Sequence, residues 1–341
     1  MSDVVNSKFP PAARWAGGAG KGIILMYHRV AEIPSDPWSL CVTPRHFAQH
    51  LEVLRRFTHP QHIRTLSQSL QDGCIPDLSV AVTFDDGYAD NLDNARPLLE
   101  HYDIPATVFL TTGYIGFGRE FWWDELERLL LQPGSLPPVL RLDINGMMYQ
   151  WELGDAAYYP EERWRRERSW RPFADSPSSR HSLYTSLWQL LRPLPESERQ
   201  TVLNNLLVWA DAEPNSRQTH RTLSLQAAVA LGRGDLIEIG SHTVTHPLLS
   251  TLSSVLQQEE IQRSKARLEE IVGRPITSFA YPYGDYTAET VGVVRQAGFN
   301  CACSTNAGIA QRDSDRFQLP RVPVEDWDGE EFNRRFCAWL A

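Results

Sequence analysis

From Lys21 onward, short runs of apolar residues alternate with stretches whose apolar positions recur at helical spacing, the pattern of βα units around a parallel sheet or barrel. Strands buried on both faces read as continuous apolar runs. Gly22 to His28, Leu78 to Phe84, Ala106 to Leu110, Leu236 to Gly240, Ile276 to Tyr281 and Asn300 to Ser304 are the strand-like runs, followed by the segment Phe317 to Val324. Between them, Thr43-Pro44 supplies an N-cap and a proline at the first helical position, opening a helix through about Phe57 with Phe47, Leu51 and Leu54 on one face. Helical spacing returns through Leu98, Leu99 and Tyr102, from Ser253 to a stop at Gly273, from Thr287 to Gly298, and from Gly329 to Leu340. Six or seven such units predict an α/β chain built as an irregular (β/α) barrel.

The alternation breaks between Arg119 and Ser224, where tryptophans and prolines concentrate around a charged stretch, Glu161 to Arg168. The expected organisation is an N-terminal extension (1–21), a barrel (22–118 and 225–341) and an insertion subdomain (119–224). Trp and Arg dominate recognition hot spots, which points the insertion at the substrate; the competing reading is an amphipathic helical cap.

Composition removes several classes of function. With 42% hydrophobic and 22% charged residues among 341, the chain sits near the globular average and can bury a sizeable core. A net charge of −9 gives no overall attraction to nucleic acid or an anionic membrane. The five cysteines are odd in number and scattered, so reduced thiols are expected. The N-terminal stretch has no apolar run long enough for a signal-peptide core, and no window has the apolar length of a transmembrane segment. Both features set the expected location as the cytoplasm. Oligomeric state is left open.

Chemistry concentrates where strands end. Thr83-Phe84-Asp85-Asp86-Gly87 puts adjacent carboxylates at the C-terminal mouth, where barrel enzymes hold their catalytic groups. Side by side they repel, so a cation or an arginine is needed to keep both ionised. His242-Thr243-Val244-Thr245-His246 follows another strand and offers two imidazoles four residues apart. His46 and His50 share that spacing but fall within a helix far from any strand end, and read as surface or packing residues. Asp86 with His242 and His246 makes a two-His, one-carboxylate set with positions open for water and substrate. Tyr281-Pro282-Tyr283-Gly284 follows a third strand and can aim a backbone N–H into the same mouth, and His28 ends the first.

Taken together, in this order, Thr-Phe-Asp-Asp-Gly (83–87), His-Thr-Val-Thr-His (242–246) and Tyr-Pro-Tyr-Gly (281–284) resemble the polysaccharide deacetylase family, the NodB homology domain of carbohydrate esterase family 4. The resemblance spans most of the chain outside the insertion. It implies an irregular (β/α)7 barrel, a divalent metal, usually Zn2+, and hydrolysis of N-acetyl groups on an acetylated amino-sugar substrate. Carried over by position, Asp85 is the general base, Asp86, His242 and His246 the metal ligands, and the Tyr283 N–H an oxyanion donor. Two departures stand out. Ala280 occupies the position of the arginine that tethers the base in many members, and no histidine follows His246 to serve as the late general acid. Arg321 and His28 are the candidate replacements. The run Leu25 to Val30, which contains His28, resembles a permuted branch acting on exopolysaccharide poly-N-acetylglucosamine, with the acid moved to the N-terminus.

The expected activity is therefore metal-dependent N-deacetylation of a polysaccharide or glycolipid intermediate. An O-acetyl esterase or deformylase, or a catalytically silent sugar-binding barrel, are the competing readings.

Overall fold

A computed structural model describes residues 20–340. The apolar runs form seven strands, β1 (Lys21–Tyr27), β2 (Ser79–Phe84), β3 (Ala106–Leu110), β4 (Ile237–Ser241), β5 (Ser278–Ala280), β6 (Cys301–Ala307) and β7 (Leu319–Pro323). Each pairs in parallel with the next, and β7 pairs with β1, which closes the barrel. The expected fold class is what the chain adopts. Apart from Gly20 and Lys21, the N-terminal extension assigned to 1–21 lies outside the described residues.

Alternation along each strand sorts side chains between two cores. Ile23, Leu25, Val80 and Val82 pack outward beneath the helices, whereas Ile24, Ala81, Phe109, Cys301 and Cys303 form a separate buried cluster on the opposite strand faces, inside the barrel. The same period carries Thr83 and then Asp85 onto the inner side, as it does Arg321 two residues after Leu319.

The outer helices begin and end at the residues the sequence marks. Thr43 caps Pro44–Phe57 by accepting from the His46 N–H, Ser253 caps Ser254–Val272, and Gly273 stops that helix in the left-handed conformation. Thr287 and Thr290 form a reciprocal capping box at the start of Ala288–Gln296. Two expectations are corrected in detail. The strand expected over Ile276–Tyr281 is three residues long, Ser278–Ala280: the Ile276 N–H donates to the Glu269 carboxylate at 3.1 Å, and Pro282 has no N–H to carry the ladder on. The helical stretch reaching Tyr102 begins with a π-turn, Asn91–Ala95, before regular helix over Arg96–Tyr102.

Between β3 and β4 the chain forms helix Trp122–Leu130, hairpin Val139–Ile144/Met147–Glu152, and helices Ser179–Leu191 and Glu196–Trp209. Trp122, Trp123, Leu126, Leu187 and Leu203 share one buried cluster that takes in Tyr88 and Tyr114 from the barrel loops, so this segment packs onto the barrel mouth. Among the described residues, no helix is long and apolar enough to cross a membrane.

Candidate active site

Register brings the motif residues to one end of the barrel. Tyr27 pairs with Phe84, so His28 and Asp85 leave adjacent strands side by side, and the Asp85 N–H donates to the Tyr27 carbonyl at 3.0 Å. Leu110 pairs with Ser241, and the His242 N–H donates to the Leu110 carbonyl at 3.0 Å. His28, Asp85, Asp86, His242, His246 and Tyr283 line a single cavity of about 160 Å³ at this mouth.

Arg321 is fully buried and grips Asp85 with both arms: Nη1 donates to Oδ1 at 2.7 Å and Nη2 to Oδ2 at 2.6 Å. The guanidinium is itself fixed, donating through Nε to the Ser304 carbonyl at 2.9 Å and through Nη1 to Thr83 Oγ1 at 3.2 Å. The arginine beside Asp85 is thus Arg321, from β7, where Ala280 carries no charge. Burial alone raises the Asp85 carboxyl pKa, but the Arg321 charge and hydrogen bonds outweigh it and hold the group well below the usual carboxylate range.

This pair sets a pH expectation. A carboxylate with depressed folded-state pKa contributes stability that is present above its unfolded value of about 3.9 and is lost as pH falls through the folded value. In Arg321→Met the cation is gone, burial dominates, and the Asp85 pKa rises. The acidic limb of the kcat/KM profile is then expected to move to higher pH. Stability near pH 7 should fall by roughly 3–5 kcal/mol, the usual result of removing one partner from a buried ion pair, and recover partly on acidification. A pH-rate profile and chemical denaturation at two pH values check both; an unmoved limb removes Arg321 from the site.

Asp86 is also buried, and its Oδ1 lies 3.3 Å from His246 Nε2 and 3.6 Å from His242 Nε2. Donors about 2.0–2.2 Å from a tetrahedral ion stand roughly 3.3–3.6 Å apart, so this set fits a divalent metal. One donor atom from each of the three residues falls within 4.8 Å of the others. His242 Nδ1 is 2.8 Å from the Ala280 carbonyl, which can only accept; Nδ1 therefore carries the proton and leaves the Nε2 lone pair facing Asp86. Burial lowers the His242 pKa to about 4, favouring the neutral imidazole that a metal requires.

The loop holding both histidines is conformationally demanding: Thr243 (φ 66°) and His246 (φ 55°) are left-handed, as is Asp86 (φ 74°) in the facing turn. Hydrogen bonds from several directions fix it. Glu260, on helix Ser254–Val272, accepts from the Val244 N–H (2.8 Å), the Thr245 N–H (2.9 Å) and the Thr245 hydroxyl (2.8 Å). The buried Arg199 donates to the Thr245 carbonyl at 2.9 Å, and the Gly113 N–H donates to the Val244 carbonyl at 2.8 Å. A Cβ at Gly113 would stand 2.5 Å from that carbonyl oxygen, so only glycine fits there. Glu260→Ala is expected to weaken metal affinity about 10- to 100-fold, the usual effect of losing an outer-shell partner, with the fold retained. Metal titration of the purified variant checks this; unchanged affinity would make Glu260 a helix-surface residue only.

Tyr283 is left-handed (φ 58°, ψ 6°), and its ring stands edge-on to His246 at 4.5 Å. His46 and His50 are elsewhere: His46 pairs with Asp326 at 2.8 Å, and the buried His50 bonds the Tyr27 hydroxyl and the Trp327 carbonyl while stacking on Phe332.

Five further residues line the cavity without a motif to mark them in the sequence: Trp38, Leu40, Trp123, Trp188 and Thr305. The Trp123 ring lies 4.9 Å from that of His246, inclined to it at 58°, and its Nε1 donates to the Tyr88 hydroxyl at 2.8 Å, which donates to Asp124 at 2.7 Å. Aromatic density in 119–224 was the available signal, but only packing distinguishes Trp123 and Trp188, at the cavity, from Trp151 and Trp209.

A closed seven-stranded parallel barrel with paired carboxylates and a two-His, one-Asp set at its C-terminal mouth defines a hydrolase of the NodB type. The sequence profile of the polysaccharide deacetylase family matches residues 72–133 and 220–302, leaving most of the segment between β3 and β4 outside the match. The Bacillus subtilis (strain 168) protein YxkH, named for polysaccharide deacetylase, is 22% identical over 307 residues, covering 88% of this chain and 70% of its own. The Staphylococcus epidermidis poly-beta-1,6-N-acetyl-D-glucosamine N-deacetylase is 37% identical over 78 residues, 22% of this chain and 26% of that protein. Among solved structures, IcaB from Ammonifex degensii superposes with a TM-score of 0.58 at 19% identity, over 94% of this chain and 97% of that one. Residues 72–133 and 220–302 thus carry a polysaccharide deacetylase domain, of the class of hydrolases that act on carbon–nitrogen bonds other than peptide bonds.

Proposed function

We propose that this protein is a Zn2+-dependent deacetylase that removes the N-acetyl group from an amino-sugar unit of a surface polysaccharide or glycolipid intermediate, acting in the cytoplasm. The observation that carries this reading is the convergence on one cavity of a doubly tethered Asp85, the Asp86/His242/His246 donor set and His28. Asp86, His242 and His246 would hold the ion, which would supply a Lewis acid toward the acetyl carbonyl and lower the pKa of water from 15.7 to about 7. Asp85, kept ionised by Arg321, takes the proton of the attacking water. The Tyr283 N–H donates to the developing oxyanion, a kind of contact worth about 3 kcal/mol in other hydrolases. His28 then gives a proton to the departing amine, the part the late histidine plays in unpermuted relatives. Residues 119–224 act as an insertion subdomain that contributes Trp123 and Trp188 to the substrate wall.

The test is acetate release from an N-acetylated chito-oligosaccharide by protein stripped of metal, then restored with zinc. Restoration by zinc and indifference to chelator are the opposing outcomes. Faster release from an O-acetylated sugar would instead favour an esterase.

A further inference from the structure

The wall of the cavity away from the ionisable groups offers carbon surface rather than hydrogen-bonding groups. Trp38, Leu40, Trp123 and Trp188 make most of it. The Trp38 indole N–H is taken by the Tyr184 hydroxyl at 2.6 Å and that of Trp123 by the Tyr88 hydroxyl, so both rings present apolar faces and edges. Trp38 packs on Trp188 with ring centroids 4.4 Å apart and planes inclined at 32°, and Phe173 meets Trp38 edge-on at 5.8 Å. Phe173 is 91% exposed. A ring left in water contributes almost nothing to folding, yet this one extends the aromatic row from the cavity onto the surface. The neighbouring Arg171 is already paired with Glu325 at 3.7 Å.

Volume limits what the cavity holds. At about 160 Å³ it is smaller than the roughly 300–1,000 Å³ of sites that enclose drug-sized ligands, so an acetamido sugar fills it and the rest of the substrate emerges. A second sugar lying along this exit would surrender water from its hydroxyls to surfaces that return few hydrogen bonds. A hydrocarbon chain surrenders nothing of that kind and gains by covering Trp38 and Phe173.

We propose that the substrate is a glycolipid, with its acetamido sugar in the cavity and an acyl or isoprenoid chain leaving over Trp38 and Phe173. This deepens, and rests on, the deacetylase reading above. Its test compares methyl and octyl β-glycosides of N-acetylglucosamine, the latter below its micelle concentration, with N,N′,N″-triacetylchitotriose. The parent enzyme is expected to show a KM for the octyl glycoside at least about 10-fold below that for the methyl glycoside. Phe173→Ser should remove most of that ratio and Phe173→Trp should restore it. Equal KM values for the two glycosides, or preference for the triose over the octyl glycoside, would overturn the proposal, the latter in favour of a polymer.

Binding of the octyl glycoside to Asp85→Asn, followed by tryptophan fluorescence, provides a readout independent of turnover. If no substrate is deacetylated but that binding is retained and depends on Phe173, the deacetylase reading fails while the lipid exit stands. If deacetylation proceeds and no Phe173-dependent binding appears, the exit fails alone.

Discussion

Asp85→Asn is expected to lower kcat by at least about 10²- to 10⁴-fold while the purified protein keeps its metal, whereas Asp86→Asn, His242→Ala and His246→Ala lose metal and activity together. The two carboxylates are adjacent in sequence but their partners differ. Both Asp85 oxygens accept from Arg321, which orients the carboxylate for the proposed part of general base. Asp86 instead faces two imidazole nitrogens at 3.3 and 3.6 Å, and its left-handed backbone turns it away from the direction its neighbour takes. In Asp85→Asn the amide oxygen still accepts from the guanidinium, so the fold survives with reduced stability, and thermal melting checks that. Metal analysis of the four variants decides the assignment: metal lost from Asp85→Asn and kept in Asp86→Asn would exchange the two roles.

What could be read in the sequence follows from how local each signal is. The strands were legible because a fully buried parallel strand writes itself as an apolar run, as Ile23 to Tyr27 does. Asp85, Asp86, His242 and His246 were legible because each sits just past such a run, where a barrel's geometry assigns the mouth. Arg321 was legible only through the missing arginine at Ala280, a gap that required a replacement from somewhere in the fold. Glu260 carried no such mark. It is one of two adjacent glutamates on a long helix, and only helical phase and packing aim it, rather than Glu259, at the Val244–Thr245 peptide. Trp38 was equally silent, since its place beside Trp188 depends on how the segment after β1 meets the segment between β3 and β4. The Val139–Glu152 hairpin did have a local signal, Asn145-Gly146 between strand-like runs, with both residues at positive φ as a two-residue turn demands.

His28→Ala is expected to retain fold and metal but to lose about 10²- to 10⁴-fold in kcat on the N-acetyl sugar, the usual contribution of a positioned acid. The motive is geometric. His28 follows β1 directly, and β1 lies between β7 and β2, so closure of the barrel puts this residue beside Asp85 and Asp86 on the wall of one cavity. Its backbone is fixed by the Asn91 side chain, which donates to the His28 carbonyl at 2.9 Å, so the imidazole projects from an anchored position. An amine leaves poorly without a proton, whereas an activated phenolate needs little help. The variant should therefore hydrolyse an aryl acetate at close to the parent rate while failing on the sugar amide, and that contrast separates loss of an acid from general damage to the site. A variant that lost both activities in parallel would have lost site integrity. One that deacetylated the sugar normally would move the acid elsewhere; the buried His181 and His220 offer no ready substitute, because burial holds each predominantly neutral near pH 7 and neither lines the cavity.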